Sequence, residues 1–181
     1  MSELIAMLTS GAPGFDTIRS TNGNSITATD VASCLVKLDR ITYLYALEKF
    51  ALDGACRTEL RELAIIDGFK AGFKLKKGES NKTIAILSLM ALEIAINPIN
   101  CKKCKGVGEI KLDSRVVQCE SCKGAGQRPI SERNLAKMLS VTRFQARKVW
   151  EKRLNLLLSR YLERDEWIRI SILSGLKDHI V

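Results

Sequence analysis

From Val31 onward, apolar residues recur every three or four positions: Val31, Leu35, Leu38, Ile41, Leu44, Leu47 and Phe50. That spacing predicts one apolar helix face. Thr29 can cap a helix starting at Asp30, and the pattern stops near Leu52 at Asp53-Gly54. One long helix or two shorter ones fit equally. A second helix is predicted from about Arg57 to Lys76, with Leu60, Leu63, Ala64, Ile66, Phe69 and Phe73 apolar. Lys74, Lys76 and Lys77 would then face the C-terminal dipole before Gly78. Asn81 can cap a third helix, Lys82 to Ile96, that ends at Asn97-Pro98. Ile84, Ile86, Leu87, Leu89, Met90, Leu92 and Ile94 make it apolar nearly all round, as a central core helix is.

The period then changes. Residues 109–117 alternate as strands do, with Ile110 and Leu112 before an Asp113-Ser114 turn and Val116-Val117 after it. Helical spacing returns at Ser131, a cap for a helix whose inner face is Leu135, Ala136 and Leu139. After Ser140-Val141 a further helix runs from Thr142 through Ala146, Val149, Trp150, Leu154, Leu157 and Leu158, and helical character continues to about Leu176. Trp150 and Trp167 read as core anchors. Residues 10–28, rich in turn formers, predict an irregular arm. The expected fold is mainly α: a helical bundle with an inserted four-cysteine ribbon carrying a short β-hairpin, then a helix-turn-helix and a C-terminal helix. Its parts are an arm (1–28), a helical scaffold or docking region (29–100), a metal module (101–128), and the helix-turn-helix with C-terminal helices (129–181).

The metal module follows from a repeat. Cys101-Lys-Lys-Cys104-Lys-Gly106-Val-Gly108 recurs as Cys119-Glu-Ser-Cys122-Lys-Gly124-Ala-Gly126. Each C-x-x-C loop brings two sulfurs to one metal, and Cys101, Cys104, Cys119 and Cys122 complete a tetrahedral shell for one structural zinc ion. The glycines let the chain turn after each second cysteine so that amides point at the thiolates. Cys34 and Cys56 read as small core residues. Four of six cysteines in metal spacing, with no signal-peptide pattern at the N-terminus, imply a reducing, cytoplasmic setting. The apolar run Thr83 to Pro98 contains Glu93 and is too short for a membrane span.

Charge divides the chain. Residues 1–100 hold 11 basic and 11 acidic residues, and residues 101–181 hold 18 and 9, so the whole net charge of +9 lies after Asn100. A basic half indicates a polyanionic partner, double-stranded DNA above all. Ala136 supplies the small residue that a helix-turn-helix crossing requires, and Leu135, Leu139, Val141, Ala146 and Val149 supply its apolar lock. Ser140 stands where glycine is usual. The candidate DNA-binding residues are Thr142, Arg143, Phe144, Gln145, Arg147, Lys148 and Lys152: Arg and Gln suit base edges, Lys suits phosphates, and Phe144 suits a thymine methyl or a neighbouring element. No enzyme is expected. Residues 1–100 contain no histidine, phosphate loop or carboxylate pair, His179 reads as an ordinary surface residue, and a closed four-sulfur shell has no open position.

This order of parts resembles the zinc-containing late-gene antitermination proteins of lambdoid bacteriophages, the lambda-type Q proteins. The similarity spans about residues 30–165 and is sharpest at Cys101–Gly126. It implies binding to a DNA element at a phage late promoter in the bacterial host cytoplasm. It also implies loading onto paused host RNA polymerase with its sigma factor, contact with the elongation factor NusA, and read-through of terminators. The knuckles also resemble the zinc region of Hsp40 chaperones, which carry four where this chain has two and whose His-Pro-Asp signature is missing here. The alternatives are a conventional helix-turn-helix repressor or activator, an Hsp40-like zinc interaction protein, and a thiol oxidoreductase.

Overall fold

The computed structural model describes residues 18–19, 25–26, 28–75, 79–112, 115–124, 126–128 and 130–176. Most of the predicted arm, Lys76-Lys77-Gly78, the Asp113-Ser114 turn and His179 lie outside the described residues. Within the arm, β1 (Ile18–Arg19) pairs antiparallel with β2 (Ser25–Ile26). The first apolar pattern forms two helices, α1 (Ala28–Leu35) and α2 (Arg40–Ala46), and α1 begins one residue before the expected cap Thr29. A π-turn, Leu47–Ala51, extends α2 and ends at Leu52 in the left-handed conformation.

The helix α3 (Arg57–Lys70) stops six residues short of the predicted end, at Gly72 with φ +69°. Glycine adopts that left-handed conformation without a Cβ clash, which makes it a common helix terminator. Lys74 therefore lies beyond the helix, and its expected role at the dipole falls away. The buried face of α3 is Leu60, Ala64 and Gly68, whereas Ile66 and Phe69 are exposed. A Cβ at Gly68 would lie 1.8 Å from Ser88 Oγ, so glycine there permits close packing on the next helix. That helix, α4 (Asn81–Ile96), has Ser80 rather than Asn81 at its cap and buries Ile84, Leu87, Met90, Ala91 and Leu92 as expected of the core helix.

After the hairpin β3 (Glu109–Leu112) and β4 (Arg115–Gln118), α5 (Glu132–Leu139) leads through a short turn into a helical rod. The rod comprises α6 (Arg143–Gln145), a π-turn (Ala146–Trp150) and α7 (Glu151–Gly175). It packs against α1, α2 and α4, and α4 also touches α5. One hydrophobic cluster therefore joins the helices before the metal module to those after it: Leu35, Tyr45, Leu60, Leu87, Leu135, Trp150 and Ile168 all belong to it. Trp150 is fully buried, but Trp167 is 57% exposed, and its expected role as a core anchor is wrong. It lies on the side of α7 opposite the buried Ile168 and Ile172. No described helix is long and apolar enough to cross a membrane.

Ion pairs reinforce the same contact. Arg153 meets Glu79 at 3.0 Å, Arg160 and Arg164 meet Asp67 at 3.2 and 3.1 Å, and Lys49 meets Asp165 at 2.7 Å. Three arginines of the basic half are thus engaged by acids of the neutral half.

Candidate metal centre and helix-turn-helix

The four cysteines predicted as ligands form a cluster of their own, separate from the helical core. Their sulfurs all lie within 4.8 Å of one another, and all four are buried. Cys101 and Cys119 sulfurs are 3.9 Å apart, Cys104 and Cys122 sulfurs 3.7 Å, and none is in a disulfide. A tetrahedral shell with metal–sulfur bonds of about 2.3 Å sets its sulfurs about 3.8 Å apart. The cluster fits one such ion, and an all-sulfur donor set favours zinc among the common divalent ions.

Backbone conformation builds this cluster. In each knuckle the lysine and glycine after the second cysteine are left-handed, at φ +52° and +97° for Lys105-Gly106 and +51° and +83° for Lys123-Gly124. The final glycines, Gly108 and Gly126, follow at +84° and +69°. The resulting contacts between the knuckles are reciprocal. The Cys101 amide donates to Gly126 O and the Cys119 amide to Gly108 O, both at 2.8 Å. A Cβ on Gly108 would lie 2.3 Å from Gly124 O, and one on Gly126 2.3 Å from Gly106 O. No side chain fits at either position.

Amides turn inward as expected. Gly108 N donates to Cys104 Sγ at 3.2 Å. The Cys104 amide, aided by those of Lys103 and the Ser121 side chain, holds the Cys101 thiol down to about 6, while burial pushes Cys122 up to about 11 despite the Gly126 amide. A metal must therefore displace the proton of a reluctant thiol, and binding becomes pH-dependent. Four thiolates and one divalent ion carry a charge of −2. Lys102, Lys103 and Arg128 line a cavity of about 340 Å³ beside Cys101, where they would offset that charge, with Lys103 also 3.7 Å from Glu120.

The hairpin adds little apolar packing. Val116 and Val117 are exposed, and among the described side chains of the hairpin only Ile110 packs on the cysteines. Asn100 bridges to Gln127 and the Arg128 amide donates to Ile99 O at 2.7 Å, so the module leaves the helical core where it enters.

Three residues beyond Arg128, at Ser131, the helix-turn-helix begins. Ser131 Oγ accepts from the Asn134 amide, as predicted, and caps α5. Ser140 occupies the turn in the left-handed conformation, φ +53°, the position where glycine was expected. The Val141 amide donates to Ala136 O and closes the turn. Leu135, Ala136, Leu139, Ala146 and Trp150 are buried between the helices, with Val141 and Val149 partly so.

All seven candidate DNA-binding residues are exposed, in the first part of the rod. Their roles differ in ways the spacing did not reveal. Thr142 and Gln145 form a capping box: Thr142 Oγ1 accepts from the Gln145 amide, and Gln145 Oε1 accepts from the Thr142 amide. The Gln145 carbonyl is thereby held at the helix start. Lys148 Nζ lies 4.8 Å from the Phe144 ring centroid, pairing those two side chains. Arg143, Arg147 and Lys152 make no ion pair with any described residue, in contrast to Arg153, Arg160 and Arg164 farther along. Arg153, absent from the sequence-based candidates, lies over Trp150 and donates to Lys74 O at 2.7 Å, bracing the rod behind this surface. Only long-range geometry exposes that role.

No protein-family model matches the sequence, and comparison with curated proteins finds no match. The chain is a mainly helical protein whose buried four-cysteine cluster can hold one metal ion, with zinc favoured by its donor set.

Proposed function

We propose that this chain is a transcription antitermination factor of the lambdoid late-gene type, acting in the bacterial host cytoplasm on double-stranded DNA and on host RNA polymerase with its sigma factor. The observation that carries the reading is the capped helix-turn-helix. Its outward arginines and lysines lack ion-pair partners among the described residues, while the later arginines of the same rod are engaged inward. Arg143 and Arg147 suit base edges, Lys148 and Lys152 suit phosphates, and Phe144 offers an apolar face to a thymine methyl. Thr142 and Gln145 set the angle at which the helix meets the groove. The zinc is structural on this reading: it holds the module that precedes α5 and supplies no reaction.

A loading factor must leave its DNA site with the polymerase. A few uncommitted cations give an affinity that falls steeply with salt, and protein contacts add effective concentration that persists after DNA is released. The resemblance of the knuckles and of the order of parts to the late-gene antitermination family supplies the link to polymerase. Purified transcription through an intrinsic terminator tests it. Read-through that requires both this protein and its promoter DNA is the expected result. Blocked or enhanced initiation with unchanged termination would make it a conventional repressor or activator.

A further inference from the structure

The outer face of the second half of α7 is apolar where a solvent-facing helix is ordinarily polar. Leu162 is 66% exposed, Trp167 57%, and Ile170 and Leu173 about half. Helical spacing puts these four on one outward arc, opposite the buried Tyr161, Ile168 and Ile172. Contiguous exposed apolar side chains of this size mark interaction surfaces.

Charges of both signs lie along this face, but its arginines are paired. Arg169 is tied to Glu166 at 2.6 Å. Beside Trp167 lies a cleft of about 230 Å³ that Asp39 and Glu163 also line. The arginines of that cleft, Arg160 and Arg164, are both held by Asp67. Asp39 and Glu163 make no ion pair with any described residue. Arg164 Nη1 and Thr42 Oγ1 also lack a partner but are buried, so the exposed charges of the cleft without an ion pair among the described residues are the two carboxylates, on a chain of net charge +9. DNA is repelled by such a site. A second copy docking through the same face would bring the same two carboxylates to the contact.

We infer that this face docks a protein partner whose contact surface is apolar with a lysine or arginine at its edge. The apolar part covers Trp167, Ile170 and Leu162, and the cation sits by Glu163 and Asp39. Exposed tryptophan beside complementary charge is the composition of an interface hot spot. Leu162 lies about 20 Å along the rod from Arg147, at about 1.5 Å per residue. The DNA-reading end and this face can thus be engaged together. The inference rests on the proposed antitermination role only for the partner's identity, which would be the polymerase or its sigma factor.

The test uses the metal-loaded full chain and two labelled amphipathic helical peptides of our design. Both have a leucine face, flanked by lysine and arginine in one and by glutamate in the other. The basic peptide should bind saturably by fluorescence anisotropy, and the acidic twin about tenfold more weakly. Leu162→Ser and Trp167→Ala should each weaken binding about tenfold and Glu163→Gln about threefold, with DNA binding unchanged. Equal binding of both peptides, indifference to Leu162→Ser, or a dimer that Leu162→Ser dissolves would overturn the inference. The two readings fail separately. If Leu162→Ser keeps full terminator read-through and full peptide binding, the docking face is wrong and the proposed function stands. If the wild type binds peptide but gives no read-through, the proposed function is wrong and the docking face stands.

Discussion

The metal module and the helical core are held by opposite means within one chain. The core buries Leu, Ile, Tyr and Trp side chains drawn from segments over a hundred residues apart, and ion pairs such as Lys49–Asp165 and Arg153–Glu79 tie its two sequence halves together. Among its described side chains the module buries four cysteines and part of Ile110, and it joins them through left-handed turns and a two-stranded hairpin. Unbound, those thiols gain little from burial. Bound to a structural metal, such sites gain about 10–16 kcal/mol of apparent free energy, more than the whole stability of many domains. Metal can thus replace a core, provided the backbone places the ligands and glycine stands where no Cβ fits.

That contrast can be broken from either side. Cys119→Ser should have the largest effect: loss of bound metal, measured by elemental analysis, and loss of hairpin signals for residues 109–118 in NMR spectra. The helical circular dichroism should remain. Unaltered metal content would contradict the assignment of Cys119. Trp150→Ala attacks the other side. It removes a fully buried indole from the core and should cost about 3–5 kcal/mol in denaturant unfolding, with metal content at the folded end of the titration unchanged.

Smaller changes sharpen the picture at the junction. Arg143→Ala should weaken sequence-specific DNA binding by about 1–3 kcal/mol if Arg143 reads a base, measured against a non-specific duplex. Equal weakening on both duplexes would make it a phosphate contact. Ser140→Gly should raise stability by about 0.5 kcal/mol, because relief of left-handed strain outweighs the greater freedom of the unfolded chain. Destabilisation there would mean that the Ser140 side chain itself holds the turn.

Much of this was legible in the sequence, for local reasons. Apolar spacing located each helix because burial of one face is a local pattern, and the paired Cys and Gly residues revealed the metal centre because its geometry is built within each knuckle. What escaped notice depends on contacts distant in sequence or on shared roles. Gly68 lies inside a helix, where glycine is ordinarily unfavourable, and only its approach to Ser88 explains it. Gly72 ended α3 although apolar spacing ran on through Phe73. Trp167 fits an apolar pattern on α7, yet no described residue covers more than part of it. The basic half looked uniformly available for a polyanion, but Arg153, Arg160 and Arg164 turn inward, leaving uncommitted charge at the start of the rod. Gln145 looked like a reader of bases and also serves as half of a capping box.

On this view one metal ion, held by Cys101, Cys104, Cys119 and Cys122, folds the module independently of the helical core. The most direct measurement is the NMR spectrum of the full chain during stepwise removal of zinc by a chelator. One zinc per chain is expected at the start, then loss of the dispersed signals of residues 101–126 in proportion to zinc released, while those of Leu87, Trp150 and Ile168 stay in place. A hairpin that persists without metal, or a core that unfolds in step with it, would contradict the account.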